Sequence, residues 1–256
     1  MRALSALLAL VAPASLLAHE TGDLVEFVSC PVYRDTDAGR KSGCWLAYDG
    51  ASGTRWDVSQ SPYKPDYNFA VLVEGRVSAE AGTLCGAAVL DPVRTSRLSI
   101  RCPAHMLPAE GFPGRKYSLP ERNIAPLAVQ RDAPPGPYKA RKFYTFFEFD
   151  RDFLVYQYDD YLLDKAVTWI KAAQPKKLIV TGFAATEPVI ISGRPLAERP
   201  ETAESRARRV SLALSRLLPG IEIETRWQTG SLPVDAIDAD GLPMQSQRRT
   251  EIEAVF

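Results

Sequence analysis

Apolar residues recur along this 256-residue chain with two different periods, and the change from one to the other divides it into halves. In the first half they form short runs rich in β-branched and aromatic residues: Leu24-Val-Glu-Phe-Val28, Cys44-Trp-Leu-Ala-Tyr48, Thr54-Arg-Trp-Asp-Val58, Phe69-Ala-Val-Leu-Val-Glu74 and Arg97-Leu-Ser-Ile-Arg-Cys102. Gly, Asp, Pro and Ser separate these runs, and Asp49-Gly50 followed by Ser52-Gly53 is a turn signal between two of them. Five strands in about 90 residues, with no amphipathic helix among them, predict a small β barrel or sandwich, and an OB-like barrel is one architecture that fits.

The second half alternates strand and helix periods. Phe143, Thr145, Phe147 and Phe149 fall on one face of a strand. Leu162, Ala166, Trp169, Ile170 and Ala173 then recur at helical spacing, with Asp159 or Asp160 as the cap and Pro175 as the stop. Lys177-Leu-Ile-Val-Thr-Gly182 reads as a short buried strand. A second helix opens at Pro200, where proline is tolerated, and carries the seam Ala203, Ala207, Val210, Leu214 and Leu217 before Gly220 ends it. Glu204 and Arg208 lie one turn apart on it, acid first. Ile221–Trp227 and Thr250–Phe256 alternate as strands. The predicted fold is therefore α+β in two domains: a small β domain over 19–119 and, over 142–256, a β-α-β-α-β-β unit with two helices on one face of a mixed sheet. Between them Pro120, Pro126, Pro134, Pro135 and Pro137 mark 120–141 as a proline-rich linker, stiff because proline fixes φ.

The chain start reads as an export signal. Arg2 precedes an apolar stretch from Leu4 to Leu17, and small residues allow cleavage after Ala14 or, as we prefer, after Ala18. About 14 apolar residues are too few for a membrane span, which needs roughly 20, and no cysteine follows for lipid attachment. The expected location is the periplasm, in association with the outer membrane. Cys30, Cys44, Cys85 and Cys102 are even in number and confined to the first half, with no Cys-x-x-Cys spacing, so two disulfides are expected. Of three connectivities we favour Cys30–Cys44 with Cys85–Cys102, the near neighbours. His19 and His105 are the only histidines, too few partners for a metal site.

Lys plus Arg and Asp plus Glu each number 31, so the chain is close to neutral and lacks the basic excess of a nucleic-acid or anionic-membrane binder. Arg34, Asp35, Asp37, Arg40 and Lys41 make a charged loop. Asp35-Thr-Asp37 opens like a calcium loop but lacks its glycine and distal glutamate in register. Trp45, Trp56, Tyr63 and Tyr67 are candidates for an aromatic platform that would take a sugar or peptide. No Gly-x-Ser-x-Gly elbow, phosphate-binding glycine loop or His-Glu-x-x-His segment occurs, so neither an enzyme nor a cofactor is expected.

Four landmarks of the second half occur in a characteristic order: Phe147-Glu-Phe-Asp150, Leu178-Ile-Val-Thr-Gly182, Glu204-Ser-Arg-Ala-Arg-Arg-Val210 and Gln247-Arg-Arg-Thr-Glu-Ile252. Together they resemble the OmpA-like domain, the peptidoglycan-associating C-terminal domain of Gram-negative outer-membrane proteins, over about 115 residues. The resemblance implies non-covalent binding of the wall peptide's diaminopimelate. A second-helix arginine would fork onto the ligand carboxylate, and an aspartate beyond the second strand would take the ammonium group. Arg206 matches the arginine. Ala185 stands where the aspartate belongs, with Ala184 at the preceding threonine, and the segment from Thr186 to Arg199 departs from the family pattern. Glu187 is the candidate replacement anion. Without one, an unpaired ammonium in the site would cost about 1–3 kcal/mol. The alternative expectation keeps the fold but makes the protein a non-enzymatic interaction or assembly module, with the β domain holding an envelope protein partner.

Overall fold

The computed structural model describes residues 19–37, 43–115, 132–155 and 159–256. The export signal, Arg40, Lys41, most of the proline-rich segment and the side chains of Asp159 and Asp160 lie outside the described residues. No helix among the described residues is long and apolar enough to cross a membrane.

The N-terminal half is one seven-stranded sheet of β1 (Leu24–Ser29), β2 (Val32–Arg34), β3 (Cys44–Asp49), β4 (Thr54–Asp57), β5 (Phe69–Val77), β6 (Ala88–Arg101) and β7 (Met106–Leu107). The strand order is β1-β5-β6-β4-β3-β2-β7. The sheet curls on itself: the Ser29 hydroxyl on β1 accepts from the Tyr48 amide on β3, and Val25, Phe27, Ala47, Trp56, Val71, Val73 and Leu90 share one core. All five expected strands are present. The last of them is only the end of β6, whose first residues the Asp91-Pro92 pair disguises as a turn.

Strand order also corrects the expected disulfides. The bonds are Cys30–Cys102 and Cys44–Cys85, spanning 72 and 41 residues. Ser29 of β1 lies opposite Val71, and Arg101 of β6 opposite Phe69, so both strands finish beside the first residues of β5. The common neighbour β5 brings Cys30 and Cys102 together, and proximity in sequence does not.

The C-terminal half follows the predicted order with additions. β8 (Arg141–Phe146), α1 (Asp159–Ala173), β9 (Lys177–Ala184), α2 (Glu201–Leu217), β12 (Glu222–Thr229) and β13 (Arg249–Val255) form the frame. The sheet order is β12-β9-β13-β8, with β12 parallel to β9 and β13 antiparallel to both its neighbours. Both helices cover one face, packing Leu163, Trp169, Ile170, Val210 and Leu214 on Phe143, Leu178, Val180 and Ile252. The other face carries charge pairs such as Lys142–Glu251 and Lys177–Glu224. Gly182 is required where α2 crosses β9, because a Cβ there would lie 2.1 Å from the Ala203 carbonyl oxygen and 2.8 Å from the Ala207 nitrogen.

The additions are a hairpin, β10 (Val189–Ile191) and β11 (Arg194–Leu196), and a loop from Gly230 that contains one 3-10 turn and a short helix α3 (Pro243–Gln247). Ser192 and Gly193 at the hairpin tip both have positive φ (49° and 71°), the conformation of a two-residue turn matched to strand twist.

Both additions dock on the N-terminal half, so beside the core of each half there are apolar clusters that the two share. Ile191 and Leu196 of the hairpin pack with Leu72 and Leu98, and Tyr63 packs with Phe146, Leu162, Ala236 and Ala239. Polar contacts cross the same seam: the Val28 amide to the Ser192 hydroxyl (3.0 Å), the Tyr63 hydroxyl to the Phe146 carbonyl (3.1 Å) and the Arg76 guanidinium to the Gly241 carbonyl (2.7 Å). A seam with apolar clusters of its own and the buried Tyr63–Phe146 hydrogen bond joins the halves directly, in addition to the proline-rich linker. Even the described end of the spacer is packed: Tyr138 lies edge-on to Trp169, and its hydroxyl donates to the Pro134 carbonyl (2.8 Å).

Candidate functional site

Arg206 sits on the face of α2 that looks toward the end of β9, and its side chain has no exposed surface. All five guanidinium N–H groups are used. Nε donates to the Arg151 carbonyl (2.8 Å). Nη1 donates to the Phe183 carbonyl (2.7 Å) and to Glu198 Oε2 (2.9 Å), and Nη2 to the Glu148 carbonyl (3.1 Å) and to Glu198 Oε1 (2.6 Å). The cation also lies over the Phe147 ring, 5.1 Å from its centroid. Where the resemblance has a ligand carboxylate forked onto this arginine, an internal carboxylate is forked onto the guanidinium.

That carboxylate is Glu198, whose side chain is likewise unexposed. Besides Arg206 it accepts the backbone amides of Asp150 (2.7 Å, on Oε1) and Ala185 (2.8 Å, on Oε2), so each oxygen takes two hydrogen bonds. The hairpin places it there. By reversing the chain between Val189 and Leu196, the hairpin returns Glu198 to the end of β9, where its own amide donates to the Ala185 carbonyl (2.9 Å). Ala185 thus meets a carboxylate through its backbone, at the position where the resemblance calls for a carboxylate side chain.

Glu187, the expected replacement anion, is not a partner of Arg206. It is exposed and lines a separate cleft with Val189 and Met244. Sequence reasoning missed Glu198 because the choice among Glu187, Glu198, Glu201 and Glu204 depends on where the 186–199 segment turns. The available signal was the burial requirement itself, since a buried guanidinium needs a carboxylate in reach.

The Phe147-Glu-Phe-Asp150 run is the hub of this arrangement. It leaves the sheet just after β8, and each residue reaches a different element. The Phe147 carbonyl accepts from Gln245 and Arg248, and the Phe147 ring enters the helix-covered core. Glu148 gives its carbonyl to Arg206 and its carboxylate to the Arg97 amide (3.3 Å), and burial holds that carboxyl above its ordinary range. The Phe149 amide donates to the Ser96 hydroxyl (3.0 Å). Asp150, at φ 53°, caps α2 from outside, since Pro200 has no capping side chain: it accepts from the Arg199 amide and from the Thr202 hydroxyl. Burial alone would raise the Asp150 carboxyl, but these bonds and the Arg199 guanidinium hold it below the usual aspartate range.

A second buried ionic group spans the seam. Glu74 on β5 is 1% exposed and accepts the amides of Met244 and Gln245 at the start of α3 (2.6 and 2.7 Å). Arg248, 2% exposed, lies 3.9 Å from Glu74. Burial drives both toward neutrality, raising the Glu74 carboxyl and lowering Arg248.

In the N-terminal half Trp56 and Tyr63 are core residues, 1% and 2% exposed, and cannot belong to a platform. Trp45 and Tyr67 remain half-buried and pack with Tyr33 at ring-centroid distances of 4.8–5.8 Å. Arg34 is buried as well, over Phe112 and 3.3 Å from Glu110. Comparison of the chain with protein-family models, curated proteins and solved structures returns no match.

Proposed function

We propose that this chain is an exported, non-enzymatic cell-envelope protein whose OmpA-like half serves as an interaction or assembly module and does not bind peptidoglycan. One observation carries the reading: Arg206, the residue that would fork onto the wall peptide, spends every donor on acceptors of its own chain, two of them on Glu198. A ligand carboxylate would have to displace one that is already bidentate and fully desolvated. The two disulfides fit an oxidising compartment such as the periplasm. The half-buried set Tyr33, Trp45 and Tyr67 gives the β half an aromatic cluster of the composition that protein interfaces favour.

Co-sedimentation with purified sacculi tests the reading. The mature protein should remain in the supernatant, whereas pelleting that is lost in Arg206→Ala would refute it. In cross-linked periplasm the protein should run as a discrete complex, and Trp45→Ala should dissolve that complex while leaving the circular dichroism spectrum unchanged.

A further inference from the structure

The sheet of the C-terminal half ends on an open strand. β12 is the outer strand of the order β12-β9-β13-β8, and among the described residues no backbone hydrogen bond reaches Glu222–Thr229 from anything but β9. An eight-residue edge of this kind presents a row of unused amides and carbonyls that a further strand can take up. Its two faces differ. Ile223, Thr225 and Trp227 lie on the side that the helices cover: Ile223 packs against the core, the Thr225 hydroxyl meets that of Ser211 on α2 (2.8 Å), and the Trp227 ring centroid lies 5.8 Å from the Arg208 guanidinium. Trp227 is nevertheless 46% exposed, a large apolar side chain on the open strand. By alternation Glu222, Glu224, Arg226 and Gln228 occupy the opposite side. There Glu224 accepts from Lys177 (2.8 Å) and from Arg226 (2.6 Å), the latter a surface pair within one strand.

We propose that β12 is a homodimer interface, in which two copies of this chain pair antiparallel through this edge about a two-fold axis at Thr225 and join their sheets into one. The charges of the strand complement themselves in that register. Glu224 then lies opposite the second copy's Arg226, and Ile223 opposite the second copy's Trp227, each pair occurring twice. With the axis moved to Glu224 or to Arg226, that residue would face its own counterpart, and with the axis at Ile223, Glu222 would face Glu224. Opposite charges and aromatic–β-branched pairs directly across two strands are stabilising, whereas like charges there are not. Arg226 exchanges the Glu224 of its own chain for that of the second copy, and the main-chain bonds of the added strand supply further affinity. A two-fold pairing uses both β12 edges at once, so the assembly closes at two copies. This interface goes beyond the assembly role: it needs no envelope partner, so a failed pull-down leaves it standing and purified protein alone can overturn it.

Sedimentation equilibrium of the full mature chain, from low to high micromolar concentration, tests the proposal. A reversible equilibrium between one and two copies is expected. Arg226→Glu and Glu224→Arg each set like charges opposite one another at two places, and each should weaken the dimer by about tenfold or more. Both side chains are at the surface, so neither change should lower the melting temperature of the dilute protein. An equimolar mixture of the two variants should recover the association of the wild type as a mixed dimer, because each glutamate of one variant then faces an arginine of the other. A protein that stays monomeric at every concentration, growth beyond two copies, a dimer unaffected by either substitution, or a mixture that associates no better than the separate variants would overturn the proposal.

Discussion

Glu198→Gln isolates the pairing on which the reading of Arg206 depends. The substitution keeps the side-chain volume, removes the charge and replaces one acceptor oxygen with an NH2 group. Whichever way the amide turns, that NH2 faces a backbone amide, of Asp150 or Ala185, together with one Arg206 nitrogen. Two of the four hydrogen bonds at Glu198 become donor-to-donor contacts, and Arg206 is left as a buried cation with no bidentate counter-ion. Removing one member of a buried ion pair costs about 3–5 kcal/mol. For a protein of this size each kcal/mol moves the melting temperature by about 2–4 °C, so a drop of roughly 6–20 °C is expected. Thermal unfolding followed by circular dichroism, with the disulfides intact, measures it. Combining the change with Arg206→Met should give a coupling energy of about 2–3 kcal/mol in a double-mutant cycle, because the second substitution removes the stranded charge. A melting temperature within about 2 °C of the wild type, or additive effects in the cycle, would show that Glu198 does not hold Arg206, and the closed site would have to be abandoned.

Glu74 should give stability an acid-side gain. Its folded carboxyl is raised by burial above the ordinary glutamate value of 4.5, so its favourable contribution is complete below that value and is lost as pH rises through the folded value. The rise in melting temperature on acidification from pH 8 to pH 5 should therefore shrink in Glu74→Gln, and an unchanged profile would refute the assignment. Gly182→Ala should destabilise by about 1–3 kcal/mol or more, read by urea denaturation, since its Cβ would press on the α2 backbone. Non-reducing peptide maps should show Cys30 linked to Cys102 and Cys44 to Cys85. Replacing the latter pair by alanine should cost about 2–4 kcal/mol, because it releases a 41-residue constraint on the unfolded chain.

Elements whose side-chain period is set locally were legible in the sequence. α1, α2, β9, β12 and β13 begin and end within about two residues of the positions their apolar spacing and their proline and glycine stops predict. What could not be read is non-local. The Cys30–Cys102 bond depends on β1 and β6 flanking β5, an order that hydrophobic alternation within a strand does not encode. The 186–199 segment looked like an irregular loop because Pro188 and Pro195 interrupt its apolar run, although Ser192-Gly193 was the available turn signal. Arg206 was identified as special by its place on the second helix, but the same residue serves as a ligand fork or as an internal fastener according to which carboxylate the fold delivers. Sequence position alone does not separate the two.

The hairpin makes closing the arginine and docking the halves a single event. Glu198 is two residues beyond Leu196, which lies in the core shared with Leu72 and Leu98, and Ile191 on the paired strand is buried in the same cluster. A wall peptide that drew Glu198 away from Arg206 would have to replace its four hydrogen bonds. It would also pull at a hairpin whose two buried side chains contribute about 1.5–3 kcal/mol each. Exposing both would weaken such a ligand by about two to four orders of magnitude in affinity, before any cost of moving the Ser192 tip off the Val28 amide. The N-terminal half therefore does more than accompany the α/β unit: by holding the hairpin it holds the carboxylate, and through the carboxylate it keeps the guanidinium from any external partner.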